Sequence, residues 1–180
     1  EENYQDYSGA ISDYTKAIEI KPNDKLGFYN RAIAKKLNKD NKGALKDFTK
    51  AIEIDKSFIR AYINRALLKE ENYQDYSGSI SDLNKVIKID PNYALAYYNR
   101  GVVKDKLKDH FGANDDYTKA ITLDSNYENP YFNRGWNKYK NLQDNIGAIS
   151  DFTNVLRINS NNDWAYYHRG FAKGNLDDMK

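Results

Sequence analysis

One dipeptide sets the frame for this chain. Asn-Arg recurs as Asn30-Arg31, Asn64-Arg65, Asn99-Arg100 and Asn133-Arg134, with His168-Arg169 as an altered fifth copy. The arginines are spaced 34, 35, 34 and 35 residues apart. A second series, Asp6, Asp40, Asp75, Asp109 and Asp144, precedes the next arginine by 25 residues every time. The extra residue of alternate copies therefore lies between the arginine and the following aspartate. Residues 2–20 and 71–89 are nearly identical at an offset of 69, so the duplicated block is two repeats long. A fixed period of this size marks a supersecondary unit that buries its apolar face only by stacking on its neighbours.

Each unit reads as two helices. Residues 94–107 carry apolar side chains at helical spacing and then break at Lys108-Asp109. Helical spacing resumes over 112–123, with Ala113, Tyr117, Ala120 and Ile121 on one face. It stops at Asp124-Ser125-Asn126, and Pro22 and Pro91 occupy that stop in other copies, as expected just beyond a helix C-terminus. Pro130 falls in the first turn of its helix, where a missing N–H costs little.

Several side chains hold their place in every copy. A first-helix aromatic appears as Phe28, Tyr62, Tyr97, Tyr131 and Tyr166, followed four places on by Ala32, Ala66, Gly101, Gly135 and Gly170. Second helices carry Ala10, Ala44, Ser79, Ala113 and Ala148, then the bulkier Tyr14, Phe48, Leu83, Tyr117 and Phe152, then Ala17, Ala51, Val86, Ala120 and Val155. Period and register together resemble the tetratricopeptide repeat (TPR) over nearly the whole chain, in arrays of the Asn-Arg-Gly type. That resemblance implies an all-α, right-handed α-superhelical solenoid. By it the chain is a single array over 1–180, with half-repeats at 1–23 and 162–180 and full repeats at 24–57, 58–92, 93–126 and 127–161. Both ends fall mid-repeat, and the last helix lacks the polar face expected of a solenoid cap, so the chain reads as part of a longer array.

Composition narrows the function. Lys and Arg total 28 against 26 Asp and Glu, a formal charge of +2, without the basic excess of a nucleic-acid binder. No apolar run approaches the roughly 20 residues of a membrane-spanning helix. Cys is absent, which removes thiolate chemistry. No targeting segment, phosphate loop, metal-spaced cluster or nucleophile elbow is visible. The chain is therefore expected to be non-enzymatic, without cofactor or metal, and cytoplasmic, with neither nucleic acid nor membrane as partner. The Asn-Arg-Gly resemblance points to a bacterial source.

The resemblance also turns particular side chains inward. Its inward fifth position reads Tyr29, Ile63, Tyr98, Phe132 and Tyr167, its ninth Ile33, Leu67, Val102, Trp136 and Phe171, and Trp164 and Tyr139 hold further inward positions. The sixth is Asn30, Asn64, Asn99 and Asn133. Asn is a mediocre helix former, but its carboxamide both donates and accepts. Helices pack about 8–10 Å apart and an extended strand advances about 3.3 Å per residue. One Asn per repeat could thus grip every third residue of a bound strand, resembling the asparagine ladder of some TPR superhelices. Alternatively each Asn bonds a neighbouring helix and shapes the stack. Tyr98, Trp136, Tyr139, Trp164 and Tyr167 are the candidate aromatic contacts beside this ladder. The chaperone-tail clamp known in the family needs Lys, Asn and Arg inward, where this chain is mostly apolar apart from Arg60.

Two further patterns complete the reading. Each repeat arginine is followed four residues on by Lys35, Lys69, Lys104, Lys138 or Lys173, and second helices supply Asp13, Asp47, Asp82, Asp116 and Asp151. An Arg–Asp pair between helices is the simplest account; a phosphate-binding stripe is the other. The leading function is a protein-interaction module holding an extended peptide segment of a partner in a concave groove. The alternatives are a self-assembling scaffold, forming a homo-oligomer by end-to-end docking of half-repeats, and the recognition arm of a larger enzyme.

Overall fold

Asp at the start of each second helix and Lys at the end of each first helix set the local geometry. The computed structural model describes residues 6–177, and every regular element among them is an α-helix. In order these are α1 (Tyr7–Ile20), α2 (Lys25–Leu37), α3 (Asn41–Ile54), α4 (Ile59–Tyr73), α5 (Tyr76–Ile89), α6 (Ala94–Lys106), α7 (His110–Leu123), α8 (Glu128–Lys140), α9 (Asn145–Ile158) and α10 (Asp163–Asp177). The chain divides into two compact units at Ile89 and Asp90. One holds α1–α5 and the other α6–α10. Within each unit every helix packs on the next, and in the second α8 also touches α10.

The aspartate series caps the second helices. Asp6, Asp40, Asp75, Asp109 and Asp144 each accept a hydrogen bond from the backbone N–H of the glycine three residues on, at 2.7–3.0 Å. Such a cap satisfies one of the donors that a helix N-terminus leaves unpaired. The glycine follows from it, because a Cβ at Gly43 or Gly112 would run into the capping carboxylate. The backbone N–H of the capping Asp donates in turn to a lysine carbonyl: Asp40 to Lys35, Asp75 to Lys69, Asp109 to Lys104 and Asp144 to Lys138, at 2.8–3.0 Å. The 34/35 alternation is absorbed inside this turn. Its positive-φ residues are Lys39, Gln74, Lys108 and Gln143. The loops leaving the second helices close differently, with Asp55, Asp90, Asp124 and Asn159 accepting from the N–H two residues on.

Small residues set the closeness of each pair. Ala32, Ala44, Ala51, Ala66, Ala113, Ala120 and Ala148 are fully buried, as are Phe48, Leu83, Tyr117 and Phe152. A Cβ at Gly101 would lie 2.7 Å from the Tyr117 ring, and one at Gly135 3.0 Å from Asp151 Cβ. Glycine in mid-helix costs about 1 kcal/mol in propensity, and this close approach explains why it is kept. Tyr117 reaches so deep that burial drives its phenol's pKa far upward, against the approach of Asn133.

A repeated ionic staple ties the helices together. Arg31, Arg65, Arg100 and Arg134 each grip the aspartate of the next helix, Asp47, Asp82, Asp116 and Asp151, through Nε and Nη2 at 2.5–3.0 Å. Lys35, Lys69, Lys104 and Lys138 meet the same carboxylates at 2.8–2.9 Å. The remaining nitrogen of Arg31, Arg65, Arg134 and Arg169 donates to Thr15, Thr49, Thr118 and Thr153 of the preceding second helix, at 2.8–3.2 Å. Each guanidinium also lies 5.4–5.8 Å from the ring three residues before it. Burial opposes ionisation of Asp47, yet Arg31 and Lys35 outweigh it and hold the carboxyl below its ordinary value. The arginines are thus structural, and the phosphate stripe considered from the sequence has its guanidiniums committed elsewhere.

Two stability predictions follow from these contacts. Asp47→Ala strands two cations beside a buried position and should cost about 3–5 kcal/mol in urea unfolding. Asp109→Ala removes only a cap and should cost about 1 kcal/mol. Equal losses would contradict the assignment of the two aspartate series to different tasks.

Candidate functional site

The candidate residues lie on first helices, where spacings of three and four bring side chains to one face. In the first unit Asn30 is exposed on α2. Asn64 on α4 donates to the Tyr29 hydroxyl at 3.2 Å and to the Arg60 carbonyl at 2.9 Å. The Tyr29 ring packs against Phe48 and Phe58, at 5.8 and 5.1 Å between centroids. The second unit repeats the arrangement. Asn133 on α8 donates to the Tyr98 hydroxyl at 3.4 Å, and Tyr98 packs on Tyr117 and Tyr127 at 6.1 and 5.2 Å. Burial raises the Tyr98 phenol against this hydrogen bond. Asn99 on α6 is buried. Two members of the asparagine series therefore bind neighbouring first helices, which is the shaping role weighed from the sequence.

The aromatic candidates converge around a histidine. Phe132, Asn133 and Trp136 of α8 and Trp164 and His168 of α10 line a cleft of about 370 Å³. His168 is 8% exposed and its Nδ1 has no hydrogen-bond partner among the described residues. Its ring lies 4.6 Å from Trp136 edge-on and stacks on Trp164 at 5.7 Å. Tyr167 and Phe171 also approach it, at 5.3 and 6.5 Å. Trp136 and Tyr139 are partly buried against the core made by Tyr131, Phe152, Val155 and Ala165, whereas Trp164 and Tyr167 are exposed. Asp163, Trp164 and Tyr167 line a second, smaller hollow beside the first.

Some of this was invisible in the sequence reading. Sequence singled out His168 only as a break in the asparagine series, and the structure places it among six aromatic rings. Asn137 is fully buried and ties α8 to α7, donating to the His110 carbonyl and to Asn114 Oδ1 at 3.0 Å each. Its signal is a lone Asn where the other repeats have Ala34, Leu68, Val103 and Ala172. Among the described residues no cluster of His, Cys, Asp or Glu could hold a metal ion. No helix among them is long and apolar enough to cross a membrane.

With this geometry in place, comparison with known proteins supplies the class. A family model described as "TPR repeat" matches residues 74–108, and one described as "Tetratricopeptide repeat" matches 94–127. Residues 74–127 thus carry tetratricopeptide repeats. No curated protein sequence matches it significantly. Solved structures share the fold. The crystal structure of MamA is 22% identical with a TM-score of 0.79, covering 86% of this chain and 90% of that one. YrrB, described as a TPR protein with an unusual peptide-binding site, is 22% identical at a TM-score of 0.76, covering 95% and 87%. PilF of Pseudomonas aeruginosa is 18% identical at 0.82, covering 96% and 78%.

The cleft predicts a pH response. Burial lowers the His168 pKa below its ordinary 6.5, so the unfolded chain takes up this proton before the folded one does. Folding stability should therefore fall as pH drops through about 6.5 and below. His168→Phe should flatten that decline, measured as the shift in urea midpoint between about pH 7.5 and about pH 5.5. Parallel declines in both proteins would show that His168 is not the group responsible.

Proposed function

We propose that the protein is a non-enzymatic interaction module that binds an extended segment of a partner protein along its first helices. The observation that carries this reading is the cleft of Phe132, Asn133, Trp136, Trp164 and His168. It joins large rigid rings to a carboxamide, the pairing that gives a pocket both contact area and direction. Trp136 is held by the core on one side and open on the other, so little side-chain freedom is left to lose on binding. A large apolar or aromatic side chain of the ligand enters the cleft, and Asn133 meets the ligand's backbone beside it. In the first unit Asn30 and Asn64 offer carboxamides of the same kind, and in the second Tyr98, Tyr139 and Tyr167 flank the cleft. YrrB and the first TPR of Spaghetti (RPAP3), solved with an HSP90 peptide, support peptide binding as a use of the fold. The asparagine and aromatic positions of this chain define its own ligand.

Selection from a displayed peptide library tests the reading. Selected peptides should share a large apolar residue, and Trp136→Ala should weaken them by about 2 kcal/mol or more, the loss typical of an interface anchor. Asn133→Ala and Tyr98→Phe then separate the two roles of the asparagine. A larger loss of binding in Asn133→Ala than in Tyr98→Phe supports a ligand contact; equal losses reduce Asn133 to a brace. Peptides whose affinity ignores all three changes would place binding on another surface.

A further inference from the structure

Two junctions between first helices pair a carboxamide with a phenol. Asn64 donates to the Tyr29 hydroxyl in the first unit, and Asn133 to the Tyr98 hydroxyl in the second. Each tyrosine ring is set by an aromatic side chain of the following second helix, Tyr29 by Phe48 at 5.8 Å and Tyr98 by Tyr117 at 6.1 Å. The junction of α8 with α10 has the same layout but lacks the hydroxyl. Phe132 holds the register of Tyr29 and Tyr98 and packs on Phe152 at 5.7 Å. His168 holds the register of Asn64 and Asn133, with its ring 6.0 Å from that of Phe132. The junction is formed wholly by α8 and α10 of one unit, on the side of α10 that faces back along the chain.

His168 is therefore without the partner that its counterparts have. It is more than nine-tenths buried, and its Nδ1 meets no hydrogen-bonding group among the described residues, a state that native structures rarely leave unanswered. Burial holds the imidazole below its ordinary pKa, so at neutral pH the ring carries one donor and one acceptor nitrogen. It borders the cleft of about 370 Å³, where Phe132, Trp136 and Trp164 supply apolar walls and Asn133 the other polar group. Neither a carboxylate nor a cation lines that cleft.

We infer that the ligand side chain filling this cleft is a tyrosine, whose hydroxyl gives His168 the partner that Tyr29 and Tyr98 give to Asn64 and Asn133. The inference rests on the peptide-binding reading above and narrows it to one residue type. A phenol both donates and accepts, so it satisfies a neutral imidazole in either tautomer, while its ring takes up the contact area of the two tryptophans. Phenylalanine and leucine suit the walls but leave the imidazole unpaired. Indole only donates, and a lysine ammonium finds no carboxylate.

Peptides from the display selection test this. Each is resynthesised with Tyr, Phe, Trp, Leu or Lys at the residue whose change to Ala costs most affinity, and is titrated against the full 180-residue chain by fluorescence anisotropy. The Tyr form should bind the wild type about tenfold more tightly than the Phe form, the scale of one hydrogen bond to an enclosed polar group. His168→Phe should bring the two forms to within about twofold. His168→Asn restores the residue of the other junctions and should keep the preference, whereas Phe132→Tyr supplies the hydroxyl from within the chain and should erase it. Circular dichroism confirms that each variant is folded. Peptides that need Trp136 yet bind equally as Tyr and Phe would overturn this inference and leave the interaction module standing, as would a Tyr preference that survives His168→Phe. Selected peptides indifferent to Trp136→Ala would remove the peptide-binding reading and this inference with it.

Discussion

The arginine of each repeat is the joint on which the stack hangs. A guanidinium has one flat face and several edges, and in Arg31, Arg65 and Arg134 each is used: the face over an aromatic ring, one edge on the aspartate of the next helix, the other on the threonine of the helix before. Three successive helices are thereby held in register by one side chain. The aspartates have side chains only 2–4% exposed, and a carboxylate so enclosed is tolerable only because two cations meet it. Lysine could replace neither the fork nor the stacking, which is why the position is arginine in all five copies.

The periodic features of the fold were legible in the sequence because they are local. Small residues at the crossings, bulky ones opposite, and prolines beyond helix ends recur at fixed offsets, and the structure has helices and buried side chains at those places. The Arg–Asp pairing could be read for the same reason. The threonines could not: Thr15, Thr49, Thr118 and Thr153 recur, but Asn84 stands in the middle of their series and masks it. The capping role of Asp6, Asp40, Asp75, Asp109 and Asp144 was visible only as spacing, since a cap is a matter of backbone angle and not of period.

The candidate site was less legible, and the reason is physical. An asparagine on a helix face suits a ligand backbone and a neighbouring tyrosine equally well, and the tyrosine that Asn64 reaches lies 35 residues upstream. Only coordinates join the two. Aromatic residues carry a similar ambiguity, since the pattern that buries Tyr131 also places Trp136 half in the core and half at its edge. His168 illustrates the limit best. As a departure from a series it says that something changes near α10; its burial among rings says what, a polar nitrogen enclosed where the neighbouring surfaces are apolar.

The alternation of turns has a consequence for how such a chain can change length. The capping N–H reaches back five residues in the turns at Asp40 and Asp109, and six at Asp75 and Asp144. Tyrosine at positions 29, 98 and 167 alternates with Ile63 and Phe132 in the same rhythm. Recombination that inserts or removes a 69-residue cassette leaves both rhythms intact. Slippage by one repeat sets two turns of the same kind side by side and puts the hydroxyl acceptors out of step. The pair of repeats, rather than the single repeat, is thus the unit that preserves both rhythms.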